Sequence, residues 1–231
     1  MVSIEYNGGL GNKFFQYVAA YIFAKKFNLN IQTSPTYNSF NLPILEGDKY
    51  EDEIIDVDDN NFLVLLKSEK LKNAHYKFIG FYQIKEFILD YRDEIKSIFE
   101  LKYDDVDKNL VFVIYRIGDI VGTMNMLPIE YYIEMLKALK CKGGYITSDT
   151  LNHKNILYLS HMFNLEIYDN DANGTIDFAK NFNNLILSEG TFSWWIGFLS
   201  NAKNIIYNER PRFWHGDIFV LPEWKGVKFF N

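Results

Sequence analysis

Strand-like apolar runs and helix-spaced amphipathic stretches alternate along most of this chain, and no hairpin turns separate them. Strands joined through helices re-enter a sheet in the same direction, so the alternation predicts an α/β fold with parallel sheets. Val2 to Tyr6 reads as a first strand, the glycine turn Asn7 to Asn12 as its exit, and Lys13 to Phe27 as a helix with Phe14, Val18, Tyr21 and Ile22 on one face. Phe78 to Tyr82 reads as another strand, and Ile84, Phe87, Ile88, Tyr91, Ile95 and Ile98 then recur at the spacing of one long helix ending near Glu100. Between them Pro35, Pro43 and the acidic run Glu51 to Asp59 mark loops around weak strands. The polar stretch Lys102 to Asn109 is the expected linker, separating an N-terminal lobe over residues 1–105 from a C-terminal lobe over 106–231.

In the second half the strands are Leu110 to Tyr115, Tyr145 to Thr147, Leu165 to Tyr168, Leu185 to Leu187 and Asn204 to Tyr207. Helices fall between them, one entered through Pro128, where a first helical turn tolerates proline. The pattern predicts a doubly wound, Rossmann-like parallel sheet, which binds ligands outside the carboxyl ends of its strands. That rule selects three segments: Arg116-Ile117-Gly118-Asp119, Ser148-Asp149-Thr150, and the turn Ser188-Glu189-Gly190-Thr191-Phe192-Ser193 before Trp194-Trp195.

The last of these is built like an anion seat. A strand that feeds a helix through small and hydroxyl residues leaves the first-turn N–H groups unpaired, and the positive end of the helix dipole meets the hydroxyls of Thr191 and Ser193 there. The same residues also suit a capped core helix. Arg116, at a strand's carboxyl end, has the fork geometry for phosphate oxygens; Gly118 permits close backbone approach, and Asp119 can hold the loop or accept from a ligand hydroxyl. Asp149 can accept from a base or sugar edge, or cap the segment from Leu151. Adjacent helical positions face about 100° apart, so Trp194 and Trp195 are expected to be scaffolding rather than a sugar-stacking pair.

The net charge of -6 argues against a general nucleic-acid surface, which needs a basic stripe, so any anion must be bound locally. No apolar run approaches the roughly 20 residues of a membrane span, and Met1 to Glu5 lacks the pattern of a secretory leader. The lone Cys141 excludes an internal disulfide and a cysteine-based zinc site, which points to a reducing, cytoplasmic setting. His75, His153 and His161 show no metal-ligand spacing.

The segments GGLGNKFFQY (Gly8 to Tyr17), FIGFYQIKEF (Phe78 to Phe87), YRIGD (Tyr115 to Asp119), LPIEYY (Leu127 to Tyr132), ITSDT (Ile146 to Thr150) and SEGTFSWW (Ser188 to Trp195) occur in the order of a known family. From about residue 3 to 210 the chain resembles glycosyltransferase family 11, the α-1,2-fucosyltransferases. The resemblance implies a two-lobed GT-B-like fold and an inverting, metal-independent transfer of L-fucose from GDP-fucose to a sugar hydroxyl. It implies a nucleotide sugar and a glycan acceptor as partners, the nucleotide held mainly by the C-terminal lobe, and no cofactor. The family's HxRRGD pattern falls on Ile114 to Asp119: the first arginine, which contacts the diphosphate in the family, is Arg116, while Ile114 and Ile117 replace the histidine and the second arginine. The Ser-Asp-Asp motif becomes Ser148-Asp149-Thr150, and the asparagine before the closing block is Glu189.

Breaking a glycosyl phosphate bond builds negative charge on the departing nucleotide, for which Arg116, the N–H groups at Phe192 and Ser193 and the hydroxyls of Thr191 and Ser193 are the expected stabilisers. Glu189, Asp119 and His215 are base candidates by residue type. Gly9, Gly11 and Asn12 form a turn that can close on the sugar, Asn12 offering both donor and acceptor; the alternative is a glycine turn that simply packs. Three rivals stand beside this reading. One is a metal-dependent transferase using Asp56-Val57-Asp58, Asp105-Val106-Asp107 or Asp169-Asn170-Asp171, although 16 aspartates in 231 residues give about one such triplet by chance. The others are a transferase using another deoxysugar nucleotide, such as a rhamnose derivative, and a degenerate module that binds glycan or nucleotide without turnover.

Overall fold

The computed structural model of the chain describes residues 1–32, 42–50, 53–122, 126–209 and 219–229. It divides into two compact units, one over Met1–Leu101 and one beginning at Lys102.

The first unit holds strands β1 (Val2–Ile4), β2 (Ile31–Gln32), β3 (Ile54–Val57) and β4 (His75–Phe78), all parallel, in the order β2-β1-β4-β3. Helix α1 (Leu10–Lys26) follows β1, and its residues Phe14, Phe15, Val18, Ile22 and Phe23 are buried. Two sequence expectations fail here. The strand expected over Phe78 to Tyr82 ends at Phe78, because the Asp59 carboxylate accepts from the amides of Phe81 and Tyr82 and Tyr82 takes φ +55°, turning the backbone out of the sheet. The single helix expected to Glu100 is two, α3 (Lys85–Asp90) and α4 (Arg92–Ile98), broken at Tyr91, whose φ of -112° and ψ of 19° are not helical. Helix α2 (Phe62–Lys67) and strand β3 lie where loops and weak strands were expected, and all of β3 falls within the acidic run Glu51 to Asp59.

The second unit is a six-stranded parallel sheet: β5 (Leu110–Ile114), β6 (Gly143–Thr147), β7 (Leu165–Ile167), β8 (Asn184–Ile186), β9 (Asn204–Asn208) and β10 (Lys225–Val227). Their order is β10-β9-β8-β5-β6-β7, so the winding runs outward one way from β5 and the other way from β8. Helices α5 (Ile129–Leu139), α6 (Lys154–Phe163), α7 (Ala172–Ala179) and α8 (Thr191–Leu199) make the crossovers. β5 is buried on both faces, as a central parallel strand must be: Val111, Val113 and Tyr115 join Tyr131, Tyr132 and Ile156 in one core, and Phe112 meets Tyr168, Phe178 and Phe182 on the other side. The doubly wound parallel arrangement expected for this half is thus present, and β10 is a strand that periodicity did not reveal.

A candidate anion site where the winding reverses

In a doubly wound sheet, loops diverge at the point where the strand order reverses and leave a crevice there. In the second unit that point lies between the carboxyl ends of β5 and β8. β5 delivers Arg116, and β8 delivers the turn Leu187–Gly190 into α8.

The turn is fixed from within. The amide of Leu187 donates to Ile206 O at 3.0 Å, that of Ser188 to Ser193 Oγ at 2.9 Å, and that of Trp194 to Gly190 O at 3.1 Å. Ser193 is therefore buried with its oxygen engaged inside the turn, rather than the freely offered hydroxyl expected from its type. No side chain caps α8, and none of the described residues accepts from the amides of Thr191 and Phe192. These are the orphan donors that every helix start leaves, here at the positive end of a nine-residue helix. Gly190 takes φ +113°, a region that side chains rarely adopt, and a Cβ on it would sit 2.7 Å from Arg116 Nη1. The guanidinium is therefore packed directly on the glycine that opens the helix.

Arg116 is held from its other edge. Its Nε donates to Asp119 Oδ1 at 3.1 Å and its Nη2 to Asp119 Oδ2 at 2.7 Å, a side-on fork that orients the plane. The guanidinium also holds the Asp119 carboxyl below its ordinary value. Asp149 braces the loop beneath: its Oδ1 accepts from Ile117 N at 2.8 Å and Gly118 N at 3.0 Å, and a Cβ on Gly118 would meet Asp149 Oδ2 at 2.8 Å. Ser148 Oγ donates to the same Oδ1 and accepts from Thr150 N. The cap of α6 is His153, whose Nδ1 accepts from Asn155 N, so the alternative helix-cap role for Asp149 is filled by another residue.

Glu189 is buried, and its Oε1 accepts from Asn208 Nδ2 at 2.8 Å. Ile114 and Ile117 are also buried, and Ile117 joins the apolar core beside Tyr115, Tyr131 and Tyr132, at two positions where the pattern the sequence resembles has polar residues. Trp194 and Trp195 are both fully buried, and Trp194 Nε1 donates to Phe219 O; both are scaffold. His215 lies outside the described residues.

Gly9, Gly11 and Asn12 belong to the first unit, at the carboxyl end of β1. Asn12 N donates to Gly9 O, Asn12 Oδ1 accepts from Gln83 Nε2 at 3.2 Å, and its carboxamide lies against Gly8. The fully buried Gln16, not singled out from sequence, accepts from Asn7 N and donates to Gly80 O, tying the loops after β1 and β4 together. Its signal in the sequence is a glutamine nearly two turns into α1, set between Phe15 and Tyr17 in an aromatic run.

Each acidic triplet has local work. Asp58 Oδ1 accepts from the amides of Asn60 and Asn61, Asp107 Oδ1 from the amide and side chain of Asn109, and Asp171 Oδ1 from Gly174 N as the cap of α7. Among the described residues, no group of three or more His, Cys, Asp or Glu is placed to hold a metal ion. No helix of the described residues is long and apolar enough to cross a membrane.

Fold and site together define a two-unit α/β protein whose second unit is a Rossmann-like, doubly wound parallel sheet with a candidate anion seat at its switch point. No family model and no curated protein matches the chain. Among solved structures it is similar in fold to a variant of the fucosyltransferase FUT1 of Arabidopsis thaliana in complex with GDP, with a TM-score of 0.52 at 10% identity, covering 92% of this chain and 71% of that one.

Proposed function

We propose that the chain is a glycosyltransferase of the α-1,2-fucosyltransferase type, moving L-fucose from GDP-fucose to a sugar hydroxyl with inversion and without a metal. The observation that carries this reading is the packing of Arg116 Nη1 on Gly190, which sets one guanidinium beside the unpaired amides of Thr191 and Phe192 at the β5/β8 reversal. The GDP complex of the FUT1 structure supports the choice of base, and the motif order supports the sugar.

In this reading the pyrophosphate of the donor sits over Gly190. Charge on the leaving GDP develops against the free end of Arg116 and the main-chain donors, in a frame that needs no rearrangement as the bond breaks. Asp119 holds the guanidinium's plane, and Asp149 holds the loop that carries it. A carboxylate whose pKa is held down by an arginine is a poor proton acceptor, so Asp119 acts through Arg116 rather than as the base. Selection of the glycan acceptor is assigned to the N-terminal unit.

A second reading has its own observation: with Ile117 buried, the seat has one arginine where the family pattern has two. That favours a module that binds nucleotide or glycan without turnover. Calorimetric titration with GDP, UDP and dTDP, then a GDP-fucose transfer and hydrolysis assay with and without chelator, decides. GDP binding lost in Arg116→Ala, with chelator-insensitive transfer, supports the enzyme; nucleotide binding without turnover supports the module; preference for dTDP or UDP moves the donor to another deoxysugar; no nucleotide binding overturns the enzyme and the nucleotide-binding module.

A further inference from the structure

Glu189 is the residue whose type and position read most readily as a general base, yet its surroundings are those of a strut. It is 4% exposed, and the asparagine it engages, Asn208, is 1% exposed. Glu189 Oε1 accepts from Asn208 Nδ2, and Asn208 Oδ1 in turn accepts from Phe229 N at 3.4 Å. This relay ties the end of β8 to the end of β9 and to the segment following β10. A buried carboxylate is costly unless hydrogen bonds compensate it, and this one stands immediately before Gly190.

Along the chain the turn is closed by Ser188 N on Ser193 Oγ and Trp194 N on Gly190 O, and α8 has no capping side chain. The Glu189–Asn208 bond is a lateral restraint at the residue immediately before Gly190, and so bears on where the amides of Thr191 and Phe192 point. A general base needs to come within hydrogen-bond reach of the hydroxyl it deprotonates, about 2.6–3.2 Å. A side chain enclosed to this degree, with one oxygen engaged by Asn208, is arranged to hold the turn.

We infer that Glu189 is a positioning residue, which through Asn208 aims the start of α8 at the bound diphosphate, and that it is not the proton acceptor of the transfer. The inference rests on the donor reading above for its ligand, but not for the mechanical role of the pair.

The test uses the full chain with Glu189→Gln, Glu189→Ala, Asn208→Ala and the double alanine variant. Glutamine keeps an acceptor in the same place, so Glu189→Gln is expected to bind GDP within about twofold of wild type and to retain turnover. Glu189→Ala and Asn208→Ala are each expected to weaken GDP by about tenfold, and the double variant no further than the worse single one, because both break the same bond. In the ligand-free protein, hydrogen exchange over residues 189–196 should quicken in both single alanine variants and stay at the wild-type rate in Glu189→Gln. Should Glu189→Ala fail to fold, Asn208→Ala, which leaves the carboxylate in place, carries the comparison. A Glu189→Gln protein with wild-type GDP affinity and transfer reduced a hundredfold or more would make Glu189 the base and overturn the inference. Unchanged exchange and unchanged GDP affinity in Asn208→Ala would overturn it as well. If wild type binds no GDP, the donor reading falls, and exchange alone decides whether the pair holds the turn.

Discussion

Arg116 Nη1 lies 2.7 Å from the point that a Cβ on Gly190 would occupy, so the cation and the helix start are in van der Waals register only because residue 190 has no side chain. Gly190→Ala must both displace the guanidinium and force alanine into φ +113°. Backbone strain of that kind costs about 1–3 kcal/mol. Urea unfolding should show this loss, and GDP titration a drop larger than that of Gly9→Ala, whose added methyl group meets nothing within 4 Å at an ordinary φ of -75°.

Asp149 holds two amides of the arginine loop with one oxygen. Asp149→Ala leaves both without an acceptor, at a cost of about 1–3 kcal/mol, while Asp149→Asn keeps an oxygen to receive them. The expected order of GDP affinity is wild type, then Asn, then Ala, with Ala weaker than wild type by about tenfold. Equal affinity in all three by calorimetry would show that the loop does not depend on the brace.

The Arg116–Asp119 pair supplies a pH signature. Asp119 has a folded pKa below its ordinary 3.8, caused first by the hydrogen bond from Arg116. A carboxylate depressed on folding contributes stability that is fully present above its unfolded value and is lost as pH falls through the folded one. The difference in Tm between wild type and Asp119→Asn should therefore be constant from neutral pH down to about 5 and close below 3.8. Its plateau is small, because the Asp119 side chain is 67% exposed and solvent screens the pair.

An arginine at position 117, where the fucosyltransferase pattern that the sequence resembles carries one, should not supply a second phosphate contact. Ile117 is 1% exposed within the cluster of Tyr115, Tyr131, Tyr132 and Ile146. Ile117→Arg places an unpaired cation there and is expected to destabilise the fold by about 3 kcal/mol or more, read by urea unfolding. Tighter GDP binding at unchanged stability would show that this loop can turn the side chain outward.

What could be read from sequence was whatever local periodicity and the strand-end rule control. The runs Leu110 to Tyr115 and Leu185 to Leu187 are short, apolar and followed by polar turns, and the structure places strands there within one residue at either end, which brings Arg116 and Gly190 to one edge of one sheet. Contacts between distant segments were not legible. Asp59 reaches 22 and 23 residues ahead to end β4 early, Asp149 spans 32 residues to hold Ile117, and the bond from Asn208 to Glu189 spans 19. Ser193 shows the same limit at short range: its hydroxyl is of the right type for an anion, but it is buried and its oxygen accepts from Ser188 N. Aspartate triplets misled in the opposite direction, because Asp58, Asp107 and Asp171 meet the needs of turns two or three residues away.

The free amides at Thr191 and Phe192 belong to the main chain, which is common to all twenty amino acids. A ligand surface made mostly of such groups is inherited as a backbone shape rather than as a string of letters. Substitution of a neighbouring side chain leaves these two donors in existence as long as the kink at Gly190 survives, whereas the guanidinium of Arg116 is lost with its side chain.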